Sequence, residues 1–326
     1  MKLVLDVDTG VDDAIAILLA LNSPEAELEA ITTVAGNAPV EECTRNCLLL
    51  VESLGADPAP TVAAGAASPL ARELVTAPEV HGPDGLGGEL GSLPRPRLAA
   101  TQEPAHAVLA SAASRVPGEA TLVATGPLTN LAIALERDPV ALAAYRRIIV
   151  MGGAFHVPGN TGPVAEFNFY VDPEAAAAVL TSGLNLTLIP LDATTRAPLR
   201  LSDLEGRPRH RLPPATRPGR NPAAILSRAL DYYMRREFEE SGLRGGYMHD
   251  PLAVAAAIAP GILTTSPAGV EVCLAGGDRG RSLLLSPENG CVVEVAFDLD
   301  EAAFRRLLEE RALRPVFGDR HGPARP

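Results

Sequence analysis

The sequence predicts an α/β protein: an open, mostly parallel central sheet with helices on both faces, plus a small antiparallel portion near the C-terminus. Hydrophobic runs rich in Val, Ile and Leu alternate with helical segments, the pattern of parallel strands covered on both sides. A composition of 47% hydrophobic and 21% charged residues over 326 positions allows a sizeable core without disulfide or metal staples. No internal repeat and no clean linker interrupts the pattern, so residues 1–317 are expected to form one domain, with 318–326 a flexible tail.

Strands are expected, in chain order, at Lys2–Val7, Leu28–Val34, Thr61–Ala64, Ala120–Ala124, Arg147–Met151 and Leu186–Pro190. Helices are expected at Asp12–Leu21, Val40–Leu54, Leu128–Glu136, Pro173–Thr181 and Pro251–Ala259. Val270–Leu274, Arg281–Leu285 and Cys291–Phe297 read as shorter strands, a meander, before a last helix at Glu301–Arg311. Two stretches break the rhythm. Ser68–Leu98 is a Gly- and Pro-rich loop whose length marks it as functional or disordered. Arg207–Arg220, basic and Pro-rich, reads as an exposed, mobile insertion.

Charge excludes several chemistries. Against 40 acidic residues stand 28 basic ones, a net charge of −12, and the one lysine is Lys2. No Walker A loop or Schiff-base lysine can be placed beyond the first strand. The acidic balance also argues against nucleic-acid binding, which rests on clustered positive charge. Apolar runs such as Ala14–Leu21 fall short of the roughly 18 to 20 residues of a membrane span. Asp6 and Asp8 stand where a signal peptide needs its apolar stretch, so a cytoplasmic protein is expected. Cys43, Cys47, Cys273 and Cys291 suggest no disulfide framework, and the first two read as packed thiols.

Ligands of open α/β sheets bind beyond the carboxyl ends of the strands. The segments just past those ends are Asp8-Thr-Gly-Val-Asp12-Asp13, Ala35-Gly36-Asn37, Thr125-Gly126-Pro127 and Gly152-Gly153, which would gather on one edge. Asp6, Asp8, Asp12 and Asp13 lie within eight residues across a tight strand-to-helix turn. Like charges so close resist joint ionisation, and with no lysine at hand a divalent cation is the natural counter-charge. Oxygen-only ligands suit Ca²⁺ or Mg²⁺ and not zinc. A preference for acids at a helix N-terminus explains Asp12 and Asp13 but leaves Asp6 and Asp8 without a reason. Far along the chain, Met248-His249-Asp250-Pro251 makes Asp250 an expected N-cap, with His249 beside it able to protonate a leaving group. A third cluster, Gly159-Asn160 with Ala165-Glu166-Phe167-Asn168, mixes hydroxyl-binding groups with an aromatic and fits a sugar.

These residues together resemble the calcium-dependent nucleoside hydrolase family, which cleaves the N-glycosidic bond of ribonucleosides. The matching pieces are DVDTGVDDA from Asp6, GN at Gly36, HGPDGLGG from His81, ATGPLTNLA from Ala124, MGGAF from Met151, GN at Gly159, AEFNFYVDPEAA from Ala165 and MHDPLAV from Met248. Thr9 departs from the proline that many members carry in the first of them. The resemblance implies a Rossmann-like nucleoside hydrolase fold, Ca²⁺ as cofactor, a ribonucleoside as substrate and a homodimer or homotetramer. It also implies metal ligation by Asp8, Asp13, Asp250 and the backbone carbonyl of Thr125, with a Ca²⁺-bound water as nucleophile and Asp8 as general base. Asn37 would stand near that water and the sugar. Asp12 and Asn168 would hold the ribose hydroxyls, Asn160 and Glu166 would lie near the 5′-hydroxyl, and Phe167 and Met151 would line the substrate site. His81 and His249 would face the base, His249 as the leaving-group acid, while Asp6 would orient the first loop from beneath. Tyr232, Tyr233 and Tyr247 would furnish much of the base pocket.

Two rivals fit less well. A haloacid-dehalogenase-like phosphatase would use the paired aspartates of LDVDTG but wants a downstream lysine, and there is none. A non-catalytic Ca²⁺-dependent ribose-binding module would need neither Asp8 nor His249.

Overall fold

A computed structural model of the chain describes residues 1–88, 93, 95–162, 164–208, 221–289 and 291–319. The first half runs β1 (Lys2–Val7), α1 (Val11–Leu21), β2 (Glu27–Thr33), α2 (Val40–Leu54), β3 (Thr61–Ala64), α3 (Pro78–His81), α4 (Ala105–Arg115), β4 (Ala120–Ala124), α5 (Thr129–Arg137), α6 (Pro139–Ala143) and β5 (Arg147–Met151). It continues through α7 (Phe167–Val171), α8 (Pro173–Leu180), β6 (Leu186–Ile189), α9 (Leu191–Thr194), β7 (Pro198–Arg200), α10 (Leu201–Leu204), α11 (Pro222–Ser241), β8 (Gly245–Tyr247) and α12 (His249–Ile258). The last part holds β9 (Leu263–Val272), β10 (Ser282–Leu285), β11 (Val292–Leu299), α13 (Glu301–Leu308) and α14 (Arg314–Phe317).

Nine strands form one sheet in the order β10-β9-β11-β6-β5-β4-β1-β2-β3, and β7 pairs with β8 in a separate ribbon. From β3 to β11 every neighbouring pair is parallel, and β9 and β10 add antiparallel strands at one edge. Chain order reverses between β1 and β4, where the halves β1-β2-β3 and β4-β5-β6 diverge. A crevice opens at such a switch point, at the carboxyl ends of the strands.

Side chains alternate across the sheet with period two. Leu3, Leu5 and Val7 of β1 enter a core with α1, α2, α11 and α12, whereas Val4 enters the opposite core with α4, α5 and α8. Both cores are closed by small and aliphatic residues; Ala14–Leu19 and Leu252–Ala255 have no exposed surface. Helices thus cover both faces, as the continuous apolar strands require.

Several details differ from the sequence reading. The three C-terminal strands are not a simple meander: β11 inserts between β9 and β6 and runs parallel to β6. Its side chains explain this, since Val293 and Val295 join one core and Ala296 and Leu299 the other, which demands an interior position. The strand expected from Val270 starts at Leu263, and the last helix continues past Leu308 as a wider turn before α14. Helices α4 and α11 were not expected, although α11 carries an Asn221 cap, Pro222 at its first position and Gly242 at its end. The segment 68–88 is ordered around α3, with Asp84 accepting hydrogen bonds from the backbone of Leu86 and Gly88 at 2.9 and 2.8 Å. Arg207 is buried, not part of an exposed insertion. Its guanidinium donates to the carbonyls of Asp203 and Gly318 and pairs with Glu309, which pins Gly318 as well. The remainder of the expected insertion, 209–220, and tail residues 320–326 lie outside the described residues. All four cysteines are free, Cys43 and Cys47 buried. Among the described residues no helix is long and apolar enough to cross a membrane.

Candidate active site

The crevice at the β1/β4 switch point collects most of the residues that the sequence singles out. Asp8 directly follows β1, and Gly10 leads into α1, whose first turn carries Asp12 and Asp13. Asp13 folds back to accept the Gly10 amide at 2.8 Å and takes a further bond from the Thr125 hydroxyl at 2.7 Å. Asp8 accepts the backbone amide of Asn37 at 2.7 Å, which ties the end of β1 to the loop after β2. Two glycines make this approach feasible. A Cβ on Gly36 would lie 2.1 Å from Asp8 Oδ2, and one on Gly10 would lie 2.6 Å from Asn37 Nδ2.

Asp250 arrives from the opposite direction. Helix α12 begins at His249, capped by Met248, so Asp250 sits within the first turn and is not the expected N-cap. Its carboxylate joins those of Asp12 and Asp13, with one oxygen from each lying within 4.8 Å of the others. The resemblance reserves that third place for Asp8 and assigns Asp12 to the sugar; here Asp8 adjoins the trio through Asp13. Asp8 Oδ1 and Asp12 Oδ1 are buried and accept no hydrogen bond from a described residue. Unpartnered carboxylate oxygens in a dry site are costly. Burial, with the neighbouring charges of Asp13 and Asp12, drives Asp8 well above the ordinary carboxylate range, and burial with Asp13 pushes Asp12 up to about 7. Burial raises Asp13 too, and burial with Asp12, Asp13 and Asp8 raises Asp250 strongly. A purely oxygen donor set of converging carboxylates fits a hard divalent cation, which would reverse this balance and hold the carboxylates ionised.

Asp6 lies beneath the floor. It accepts from the Thr32 hydroxyl at 2.5 Å and from Asn130 Nδ2 at 2.8 Å, while burial raises its pKa to about 7. Asn130, which sequence reasoning missed, also donates to the Thr33 carbonyl at 3.0 Å and accepts the Ala66 amide at 2.9 Å. One side chain thereby joins the ends of β1 and β2 to the loop after β3. The signal was its place in ATGPLTNLA, but nothing local shows that an amide in the first turn of a helix reaches three partners.

The wall opposite is built by the loop into α7. Asn168 donates to the Thr125 carbonyl at 2.7 Å and the Met151 carbonyl at 3.2 Å, so it touches the carbonyl expected to ligate metal. Glu166 caps α7, accepting the Asn168, Phe169 and Gly153 amides, and burial lifts it to about 7. Asn160 is exposed and its side-chain oxygen accepts the Phe167 amide at 2.9 Å, fixing the loop that carries Glu166 and the partly buried Phe167.

Two imidazoles stand over this floor, and they are held differently. His81 Nδ1 accepts the Val11 amide at 3.2 Å, and its ring stacks on Tyr233 with centroids 5.5 Å apart. An amide only donates, so the proton of the neutral ring resides on Nε2. Burial, reinforced by His249, pulls its pKa down to about 3. His249 Nδ1 instead lies 2.6 Å from the Thr194 hydroxyl, and Tyr247 packs against its ring. Burial lowers its pKa to about 4. Tyr233 donates its hydroxyl to the Tyr247 carbonyl at 2.8 Å, linking the two imidazole settings. Tyr232 turns aside to bond the Pro78 carbonyl at 3.0 Å, bracing α3.

The chain matches known proteins along nearly its whole length. Residues 3–306 match the family described as inosine-uridine preferring nucleoside hydrolase. Uridine nucleosidase 1 of Arabidopsis thaliana is 37% identical, covering 96% of this chain and 94% of the relative. The pyrimidine-specific ribonucleoside hydrolase RihA of Salmonella agona is 38% identical over 95% of this chain and 98% of its own. A solved plant nucleoside hydrolase superposes with a TM-score of 0.87 at 34% identity, covering 95% of this chain and 98% of that one.

Proposed function

The chain belongs to the nucleoside hydrolase family and is a ribonucleoside N-glycosyl hydrolase; from that premise we propose a calcium-assisted reaction centred on Asp8. Asp8, Asp13, Asp250 and the Thr125 carbonyl would hold the Ca²⁺. When bound, the cation would lower the pKa of a water and grip the ribose 2′- and 3′-hydroxyls. The observation that carries this reading is the pair of buried, unpartnered oxygens of Asp8 and Asp12 beside the converging Asp13 and Asp250 carboxylates.

The protein's own groups then divide the work. Asp8, whose Oδ2 is occupied by the Asn37 amide, takes the proton of the attacking water on Oδ1. Asn37 stands beside that water. Asp12 and Asn168 orient the ribose hydroxyls, Glu166 and Asn160 face the 5′-hydroxyl, and Met151 and Phe167 pack against the sugar. As the bond from C1′ to the base breaks, the ribose gains oxocarbenium character, which the electronegative floor stabilises. His249, held neutral by burial, would take up a proton on substrate binding and pass it to the leaving base. His81, its Nδ1 held by a backbone amide, serves as a neutral hydrogen-bond donor through Nε2. The enzyme is a homodimer or homotetramer of the cytoplasm in this reading, and light scattering measures the assembly.

The deciding experiment incubates chelator-treated protein with uridine, cytidine, inosine and adenosine, with and without Ca²⁺, and measures free ribose. Uridine comes first because the relatives include a uridine nucleosidase and a pyrimidine-specific hydrolase. Ribose release restored by Ca²⁺ is expected; full activity in excess chelator would refute the metal role. His249→Ala should slow nucleosides more than a nitrophenyl riboside, whose leaving group needs no proton. Equal losses on both would remove His249 from the leaving-group step.

A further inference from the structure

Adjacent threonines at the end of α9 behave differently. Thr195 does what hydroxyls in helices commonly do, donating to the carbonyl four residues back, Leu191, at 2.7 Å. The carbonyl four residues before Thr194, that of Pro190, accepts the amides of Ala193 and Thr194 and no hydroxyl among the described residues. The Thr194 hydroxyl instead crosses 55 residues of sequence to lie 2.6 Å from Nδ1 of His249. Thr194 has no exposed surface, and a β-branched side chain packed this tightly has little freedom about χ1.

The platform beneath it is also rigid. α9 comes directly after β6, Ala193 is fully buried, and Asp192 is held by the amides of Phe155 and His156 at 2.9 and 2.7 Å. On the other side the Met248 amide bonds the Ala197 carbonyl at 3.0 Å, fixing the backbone just before His249. With both backbones fixed, the free variable is rotation of the imidazole. A hydroxyl on Nδ1 removes it and leaves Nε2 as the ring nitrogen without a partner among the described residues. A hydroxyl both donates and accepts, so this contact holds the ring whichever nitrogen carries its proton.

We propose that Thr194 is a positioning residue for the leaving-group step: its hydroxyl fixes the His249 imidazole so that Nε2 faces the departing base. The proposal rests on the assignment of His249 to that step. It concerns the direction of the ring, not the binding of the sugar, so its effect belongs in kcat and not in KM.

The test compares Thr194→Val, close in volume but without a hydroxyl, with Thr194→Ser, which restores one. On the best ribonucleoside, Thr194→Val should lower kcat about tenfold to a hundredfold, a part of what a general acid contributes, with KM within about threefold. Nitrophenyl riboside turnover should fall by no more than about threefold, and Thr194→Ser should recover most of the kcat. A Thr194→Val enzyme with parental kcat on nucleosides overturns the proposal, as does an equal loss on both substrates that Ser does not rescue. The double variant with His249→Ala separates the two assignments. No further loss from Thr194→Val in that background supports action through His249, and a persisting loss overturns it. Failure of His249 itself would show instead as equal losses on both substrates in the His249→Ala single variant.

Discussion

The two edges of the sheet handle charge in opposite ways. At the amino ends of the strands, Lys2 bridges Glu27 and Glu29 at 2.8 and 2.9 Å, and Arg115 adds a longer contact to Glu29. Glu27 is 66% exposed, so its pair with Lys2 is solvated, and such pairs contribute little to stability. At the carboxyl ends, Asp8, Asp12, Asp13 and Asp250 are at most 4% exposed, and the described residues that hydrogen-bond to Asp8 and Asp13 include no basic side chain. This contrast marks the carboxyl edge as the candidate site. A fold can scatter paired charges over its surface at little cost, whereas it retains buried, mutually repelling carboxylates only if something else engages them.

The comparison is broken most forcefully at Asp8. Asp8→Ala should leave the circular dichroism spectrum unchanged and lower kcat/KM by about a thousandfold or more, because in the proposed mechanism it removes both a metal ligand and the base. Near-parental turnover would contradict the role assigned to this edge. Next in size is Asp250→Asn, which removes one repelling charge. Its calcium-free form should melt higher than the parent. The stabilisation by Ca²⁺, about 2.7 kcal/mol at a hundredfold excess over Kd for a protein that binds it only when folded, should largely vanish. Thermal melts with chelator and with Ca²⁺ read both quantities.

A smaller effect comes from pH. Asp6 and Glu166 sit near 7 when folded, against 3.8 and 4.5 ordinarily. Between those values the folded protein binds protons that the unfolded chain has released, so calcium-free stability should fall as pH rises from about 4 to about 7, with Asp12 raised in the same direction. The urea midpoint is therefore expected to be lower at pH 8 than at pH 5.5, with a shallower dependence in Glu166→Gln. An increase with pH over this range would contradict the burial argument. Smallest of all is Lys2→Met at the opposite edge. It should leave kcat unchanged and shift the melting temperature less than any variant above; a loss of activity would show that the two edges are coupled.

Much of the site was legible because its residues lie just past strand ends. Lys2–Val7, Thr61–Ala64, Ala120–Ala124 and Arg147–Met151 occur at the expected bounds. Strand ends in a parallel sheet share one edge, so the loops at Asp8, Asn37, Thr125 and Gly152 had to meet. Asp250 and His249 were legible as chemistry but misread as structure, since a Pro at a helix start suggests a cap one residue before it, whereas α12 begins at His249. The contacts of Asn130 and Thr194 were not legible. Each acts through a single side chain spanning tens of residues, and no periodicity or spacing encodes such a contact. α11 was missed because its polar face masks the apolar one, which becomes distinct only once α3 and α1 pack against it.

Local pattern and composition alone carried the fold class, the edge of the candidate site, the oxygen character of the proposed donor set and the exclusion of lysine chemistry. Only the tertiary structure decided which three carboxylates converge, which nitrogen of His81 carries its proton and which hydroxyl holds His249. Those depend on distances between segments that are far apart in the chain, and such distances are set by how two cores pack on either side of one sheet.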